Sequence, residues 1–399
     1  MRPSATGSIS PLSDGFDHHA LARRLAPEIE AAAAEIEERR ELPPALVDKL
    51  VAAGCYRLLL PRSLAGPELD PASFAEFIEI IAGADASTAW CLGQCGGCAM
   101  AAGHLPPEGA QEIFGAPGAI LAWGSLASGQ AVRVAGGYEV TGKFLFASGG
   151  RQAQFIGGHL PVVDGDGMPQ YLPEGEPLIQ TVIFPLQETR LIDIWHVMGL
   201  RGTGSDNYAV ERLFVPDRHS YVYNGAPDPS QPGTLYLFPI TSVYASAFAA
   251  VALGIARRML DLFIESARDR VPRHATKSQR NNAVIQSEVG LAEAKLQASR
   301  LFLLHTLREI YDAAAASGAV TVAQRMQIRL AASFATHQAK EVAYIAYHAG
   351  GASAIFSSGK LERRFRDIHT VMQQVQARAA HFETVGQYLL GLKPDLSVA

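Results

Sequence analysis

Three stretches of this chain carry residue types whose spacing could do chemistry. The first is Cys91-Leu-Gly-Gln-Cys95-Gly-Gly-Cys98. Thiolates spaced this way can converge on an iron–sulfur cluster when a loop after a barrel strand presents them. Here they fall inside an Ala- and Met-lined run expected to be a helix, Ser87 to Gly103, where Cys and Gly allow close packing. The packing reading is adopted. The second stretch is Trp195-His-Val-Met-Gly-Leu-Arg-Gly-Thr-Gly-Ser-Asp206. Arg201 supplies a cation, Thr203 and Ser205 supply hydroxyls, and Gly202 and Gly204 supply backbone that a ligand can approach closely. That set can hold a phosphate or the polar edge of a planar cofactor. A Gly-rich turn that only joins two strands reads the same way. The third runs from Arg363 to Gln374 and contains His369 and the pair Gln373-Gln374. Histidine titrates near neutral pH and can move a proton. Glutamine can hydrogen-bond a polar substrate but cannot take its proton. Arg363, Arg364 and Arg366 are expected to be ion-paired. His104 and His196 are weaker candidates, and His196 reads as structural.

The elements that must position these residues are α+β in order. Residues from about His18 to Gly115 read as helices, with a break at Pro43-Pro44 and helical spacing at Phe74, Phe77, Ile78 and Ile81. Ser87 is the expected cap of the Cys-bearing helix. The texture changes near Ala119. Val132 to Thr141 is two alternating runs around Gly136-Gly137, a hairpin signal. Strand-like pieces follow at 144–146, 155–163, 181–184 and 208–215. Long helical segments then cover Thr241–Arg268, Asn281–Ala316 and Val320–Ala349, the last stopped by Gly350-Gly351. A shorter helical region spans about Lys360 to Leu390. The expected domains are 1–118, 119–238 and 239–399.

Composition narrows the function. The chain has 399 residues, 48% hydrophobic and 18% charged, and a formal net charge of −5. That is enough apolar side chain for a sizeable core. Nucleic-acid binding would call for a basic excess or stripe, which the sequence lacks. Four cysteines make no disulfide framework in so long a chain, so a reducing cytoplasm is expected. The start, residues 1–19, has no apolar core of signal-peptide length and reads as a short disordered lead-in. The uncharged stretch from Pro229 to Ala256 is Ala- and Ser-rich and is expected to be a buried helix, not a membrane span.

The segment Gly199-Leu-Arg-Gly-Thr-Gly-Ser205 resembles a stretch of the acyl-CoA dehydrogenase superfamily. The chain is most similar to its branch of two-component (group D) flavin-dependent monooxygenases. The resemblance covers most of the chain, from Asp85-Ala-Ser-Thr-Ala-Trp90 onward. It is carried further by Phe144-Leu-Phe-Ala-Ser148-Gly149, by Ala349-Gly-Gly-Ala-Ser353 and by Leu361-Glu-Arg-Arg-Phe-Arg-Asp367. It implies an acyl-CoA dehydrogenase-like fold: an N-terminal helical domain, a middle β-barrel and a C-terminal four-helix bundle. It further implies that Trp123, Gly124, Ser125, Phe146, Ser148, Arg201, Gly202, Thr203, Gly204, Ser205, Gly350, Gly351 and Ser353 surround a flavin, with Arg273 and Gln286 as phosphate and adenylate contacts. Gly350 to Ser353 would reach the cofactor of a neighbouring subunit in a homotetramer.

The family's commonest dehydrogenases carry a carboxylate base about ten residues after Arg-Asp. Here Arg366-Asp367 is followed by no carboxylate until Glu383. The expected activity is therefore that of a reduced-flavin-dependent monooxygenase hydroxylating an aromatic or polycyclic small molecule through a flavin hydroperoxide. FMNH2 or FADH2 would come from a separate NAD(P)H:flavin reductase, since no Gly-x-Gly-x-x-Gly fingerprint follows a strand. Molecular oxygen would be the co-substrate. Ser148 is the expected hydrogen-bonding hydroxyl and His369 the acid–base group. Gln374 stands where the branch often has a second histidine. An FAD-dependent acyl-CoA dehydrogenase or oxidase, and a non-catalytic flavin-fold binding subunit, are the rival readings.

Overall fold

The computed structural model describes residues 16–273 and 276–396. Residues 1–15 of the expected lead-in lie outside them, while Asp17 already caps the first helix by accepting the Ala20 amide at 2.8 Å. The N-terminal helices are α1 (His18–Arg39), α2 (Pro44–Ala52), α3 (Pro71–Ala84), α4 (Ala86–Ala99) and α5 (Pro107–Phe114). The cap of α4 is Asp85, not Ser87. Its extended backbone lets one carboxylate oxygen take both the Thr88 amide and the Thr88 hydroxyl, at 2.8 and 2.9 Å.

The strands are β1 (Leu121–Trp123), β2 (Ser125–Val134), β3 (Gly137–Ala147), β4 (Phe155–Val163), β5 (Ile179–Pro185), β6 (Arg190–Ile192), β7 (Asp206–Pro216) and β8 (Ser220–Val222). The hairpin turns at Gly136, whose φ of +77° suits glycine. Both of its arms run longer than the alternating pattern suggested, so the piece at 144–146 is the end of β3 itself.

The expected barrel is an open sheet. The strand order is β6-β7-β3-β2-β4-β5-β8, with β1 paired to β4. Among the described residues, the ladder that joins its two halves is the parallel pairing of Ala131 and Val132 with Val162 and Val163. The end strands β6 and β8 are three residues each, too short to close a ring, and no ladder joins them among the described residues. Phe144, Leu160, Val182, Phe184 and Tyr208 fill the space between the halves. The Tyr208 hydroxyl donates to Gly157 O and accepts the Gly124 amide.

The C-terminal helices are α6 (Ile240–Ala267), α7 (Ala283–Ser317), α8 (Val322–Gly350), α9 (Lys360–Val371) and α10 (Ala380–Leu389). Three are long and two short. Asn282 caps α7, Thr321 and Gln324 form a capping box on α8, and Gly318 ends α7 with φ +77°. Every residue of α6 from Thr241 to Ala256 is buried, because α3, α4, α8 and α9 pack around it. No helix among the described residues is long and apolar enough to cross a membrane.

Candidate active site

A cavity of about 1050 Å³ opens where α4, α6 and α9 meet the sheet. Ligand pockets commonly span about 300–1,000 Å³, so this one suits a large planar ligand together with a small molecule. Helix α4 supplies Trp90 and Gln94, one turn apart. Helix α6 supplies Thr241, Tyr244 and Phe248 at helical spacing. The Trp90 and Phe248 rings stack at 4.0 Å between centroids, and Phe248 and Tyr244 stack at 5.6 Å. The sheet contributes Trp123, Gly124 and Ser125 at the β1–β2 junction, Phe146 and Ser148 around the end of β3, His159 from β4 and Ser205 just before β7. A Cβ at Gly124 would stand 2.2 Å from Leu145 O, so only glycine lets β3 run this close.

The far wall is C-terminal. Phe365, His369 and Thr370 come from α9, followed by Gln373, Gln374, Val375, Gln376 and Arg378. The Phe365 ring meets His369 edge-on at 4.4 Å. Burial and the charge of Lys340 lower the His369 pKa, so its imidazole is neutral at pH 7. Gln374 uses its carbonyl to accept the Gln376 amide at 2.6 Å, leaving its NH2 as the free polar group. His159 is also neutral, with burial lowering its pKa to about 4, and its Nδ1 lies 2.9 Å from the Thr181 hydroxyl. No Asp or Glu lines the cavity among the described residues, and Arg378 is its guanidinium.

The Gly-rich turn behaves differently from its composition. Leu200 and Gly204 both have left-handed backbone, with φ of 50°. They turn Arg201 toward α1, where it lies 3.5 Å from Glu37. Gly202 presses on α1 and α4, and a Cβ there would stand 2.0 Å from Ile36 Cγ2. Of residues 201–205, only Ser205 lines the cavity. Thr203 lies directly behind it, hydroxyl to hydroxyl at 2.6 Å. Ser205 in turn touches the Ser148 hydroxyl at 2.7 Å, and Ser148 accepts the Trp90 indole N–H at 3.0 Å.

The structure thus brings together Trp123, Gly124, Ser125, Phe146, Ser148, Ser205, His369 and Gln374. Arg273 and Gln286 are exposed and line no part of this cavity. Gly350, Gly351 and Ser353 close the end of α8, also away from it. His196 is exposed beside Asp193, and His104 stacks on Tyr221 in a smaller cavity. Arg364 and Arg366 pair with acids, while Arg363 buries an Nε with no partner. Cys91, Cys95 and Cys98 are buried on α4, and burial raises all three thiol pKa values. Sequence reasoning missed Gln94, Tyr244, Phe248, His159 and Arg378. Its available signal was the pair of i, i+4 spacings, Trp90/Gln94 and Tyr244/Phe248, in helices otherwise built from small residues.

Residues 19–105 match the acyl-CoA dehydrogenase N-terminal domain, and residues 246–378 match its C-terminal domain. The chain belongs to the acyl-CoA dehydrogenase family. Among its relatives is an indole-3-acetate monooxygenase of Pseudomonas putida, 28% identical over 361 residues, 90% of each protein. Another is the oxygenase component of an FADH2-dependent resorcinol hydroxylase from Rhizobium sp., 26% identical and covering 91% of each. XiaF from Streptomyces sp., solved with FADH2 and glycerol, superposes with a TM-score of 0.87 at 25% identity, over 95% of this chain and 97% of XiaF. The HsaA monooxygenase of Mycobacterium tuberculosis has the same fold, with a TM-score of 0.87 at 24% identity over 97% of this chain and all of that one. As a member of the acyl-CoA dehydrogenase family, the chain has a cavity wall that carries no Asp or Glu among the described residues. The only carboxylate of the 366–376 stretch, Asp367, is buried and accepts the Leu200 amide instead of facing a ligand.

Proposed function

We propose that this chain is the oxygenase component of a two-component flavin-dependent monooxygenase that hydroxylates an aromatic small molecule. The observation that carries the reading is an aromatic-walled cavity with buried hydroxyls, a neutral histidine and, among the described residues, no carboxylate. The residues fit a flavin. Trp123, Phe146 and Trp195 offer apolar faces to a planar ring, the β1–β2 junction offers backbone, and Ser148 offers a hydroxyl. Relatives named for FADH2-dependent aromatic hydroxylation point the same way. Bound reduced flavin would supply the electrons that activate molecular oxygen. FMN and FAD both occur among the structural neighbours.

The chain's own residues would do the rest. The Trp90–Phe248–Tyr244 stack excludes water from the reacting centre. His369, neutral and with no hydrogen-bond partner among the described residues, can take a proton from an aromatic hydroxyl or ring N–H. The Gln374 and Gln373 amides can orient polar substituents. A dehydrogenase would need a carboxylate at the substrate's α-carbon, and the described residues of this cavity offer none. A homotetramer is supported by the exposed apolar side chains Leu301, Tyr344, Ile355 and Phe356 on and beyond the long helices, and by the Gly350–Ser353 turn standing free of its own cavity. Four free, buried cysteines suit a reducing cytoplasm.

The test is anaerobic loading with FMNH2 or FADH2 from a separate reductase, followed by 18O2 and a panel of phenols and indoles. One labelled oxygen in a hydroxylated product is the expected result. Bleaching of bound oxidised FAD by acyl-CoA without oxygen incorporation would move the chain to the dehydrogenases, and no flavin binding would leave a binding subunit.

A further inference from the structure

Four hydrogen bonds behind the cavity wall form one chain, and its two ends fix its direction. At one end the Trp90 indole can only donate, and its Nε1–H lies 3.0 Å from Ser148 Oγ. At the other end the Leu200 carbonyl can only accept, and it takes the Thr203 hydroxyl proton at 2.9 Å. Thr203 has then no proton left for Ser205. The 2.6 Å contact between them requires Ser205 to donate. Ser205 is spent in turn, so the 2.7 Å contact with Ser148 requires Ser148 to donate. Ser148, Ser205 and Thr203 are all buried, so water does not compete for these protons.

We infer that this relay, Trp90 to Ser148 to Ser205 to Thr203 to Leu200, makes Ser148 an obligatory acceptor toward the cavity and thereby selects reduced flavin over oxidised flavin. Ser148 lines the cavity, and its Oγ, taking the Trp90 N–H and giving its proton to Ser205, keeps one lone pair unclaimed and no proton to give. It matches a ligand N–H and opposes a bare ring nitrogen. The two redox states of a flavin differ in this respect: two-electron reduction puts hydrogen on a central-ring nitrogen that is only an acceptor when oxidised. Trp90, Ser205 and Thr203 are positioning residues in this relay, acting through Ser148, and Thr203 lies behind the cavity wall. The inference rests on the cavity being a flavin site.

The test is a ratio of affinities, needing no turnover. Dissociation constants for oxidised and reduced FMN and FAD are measured anaerobically on the full chain, with the midpoint potential of bound flavin as a second readout. The unmodified protein is expected to bind reduced flavin more tightly. Each tenfold of preference raises the bound potential by about 30 mV for a two-electron couple. Ser205→Ala releases the Ser148 proton toward the cavity. It should tighten oxidised flavin about three- to tenfold, the scale of one hydrogen bond, and bring the ratio toward one. Thr203→Val should act in the same direction, because it lets Ser205 donate back to Ser148. Thr203→Ser keeps the relay and should leave the ratio unchanged. An unchanged ratio in both Ser205→Ala and Thr203→Val, with flavin still bound, overturns the relay while sparing the functional reading. An unmodified chain that binds neither redox state overturns both.

Discussion

Asp367 Oδ1 accepts the amide proton of Leu200 at 2.7 Å. This bond fastens α9, which carries His369, to the turn that carries Ser205. The Leu200 peptide is occupied at both ends, since its carbonyl also accepts the Thr203 hydroxyl and the Trp195 indole. The two walls of the cavity are thus registered through one left-handed residue.

The burial of Asp367, which the Leu200 bond only partly offsets, makes stability depend on pH. Burial pushes the Asp367 carboxyl up to about 7 from an ordinary 3.8. Between about pH 4 and 7 the folded chain holds a proton that the unfolded chain has lost. Stability is therefore fullest below pH 4 for this group, falls as pH rises to 7, and is flat above. The expected size is roughly 4 kcal/mol. Asp367→Asn keeps an acceptor for Leu200 and should remove that slope, raising the thermal midpoint at pH 8 but not at pH 4.

His369→Ala should lower kcat/KM for hydroxylation about 10²- to 10⁴-fold, the range for a lost acid–base group. Reduced flavin should still be consumed, with hydrogen peroxide as the product. Burial and Lys340 lower the His369 pKa, so the acid limb of the kcat/KM profile should lie below pH 6.5 and vanish in the variant.

Phe146 has a φ of +64° and is 54% exposed at the cavity. A left-handed conformation costs a non-glycine residue about 1–2 kcal/mol. Phe146→Gly should therefore leave the thermal midpoint unchanged or raised, yet weaken flavin binding by removing an apolar wall. A parallel fall in both would refute the strain.

Gly202→Ala places a methyl against Ile36 and Ser87. Overpacking of this kind costs about 1–3 kcal/mol. The thermal midpoint should drop by several degrees, measured by calorimetry.

The four cysteines should resist a thiol reagent in the native chain and react fully once it is unfolded. Burial raises each thiol's pKa, to about 12 for Cys55 and Cys98, and the thiolate is the reactive species. Rapid native labelling of Cys91, Cys95 or Cys98 would contradict their packing in α4.

What the sequence determined by itself is local. Helical spacing in Phe74–Ile81, alternation about Gly136 and the stop at Gly350-Gly351 each depend on neighbours within a few residues, so element type and order were legible. The stretch 199–205 was legible as a Gly-rich turn because glycines and hydroxyls cluster there, and 144–149 was legible through its resemblance to a strand of the family. The tertiary structure decided which of those side chains face a ligand. Leu200 and Gly204 adopt left-handed backbone that no periodicity encodes, and that rotation sends Arg201 to Glu37 and Ser205 to Ser148. Sheet closure was likewise not a local matter, because it depended on how far the three-residue strands β6 and β8 reach toward one another across the sheet. Trp90 stood in the Cys-bearing helix with no role assigned to it. It became part of the site only when folding set its indole 3.0 Å from a hydroxyl 58 residues away, since direction and distance between remote side chains are properties of the packed chain, not of any window along it.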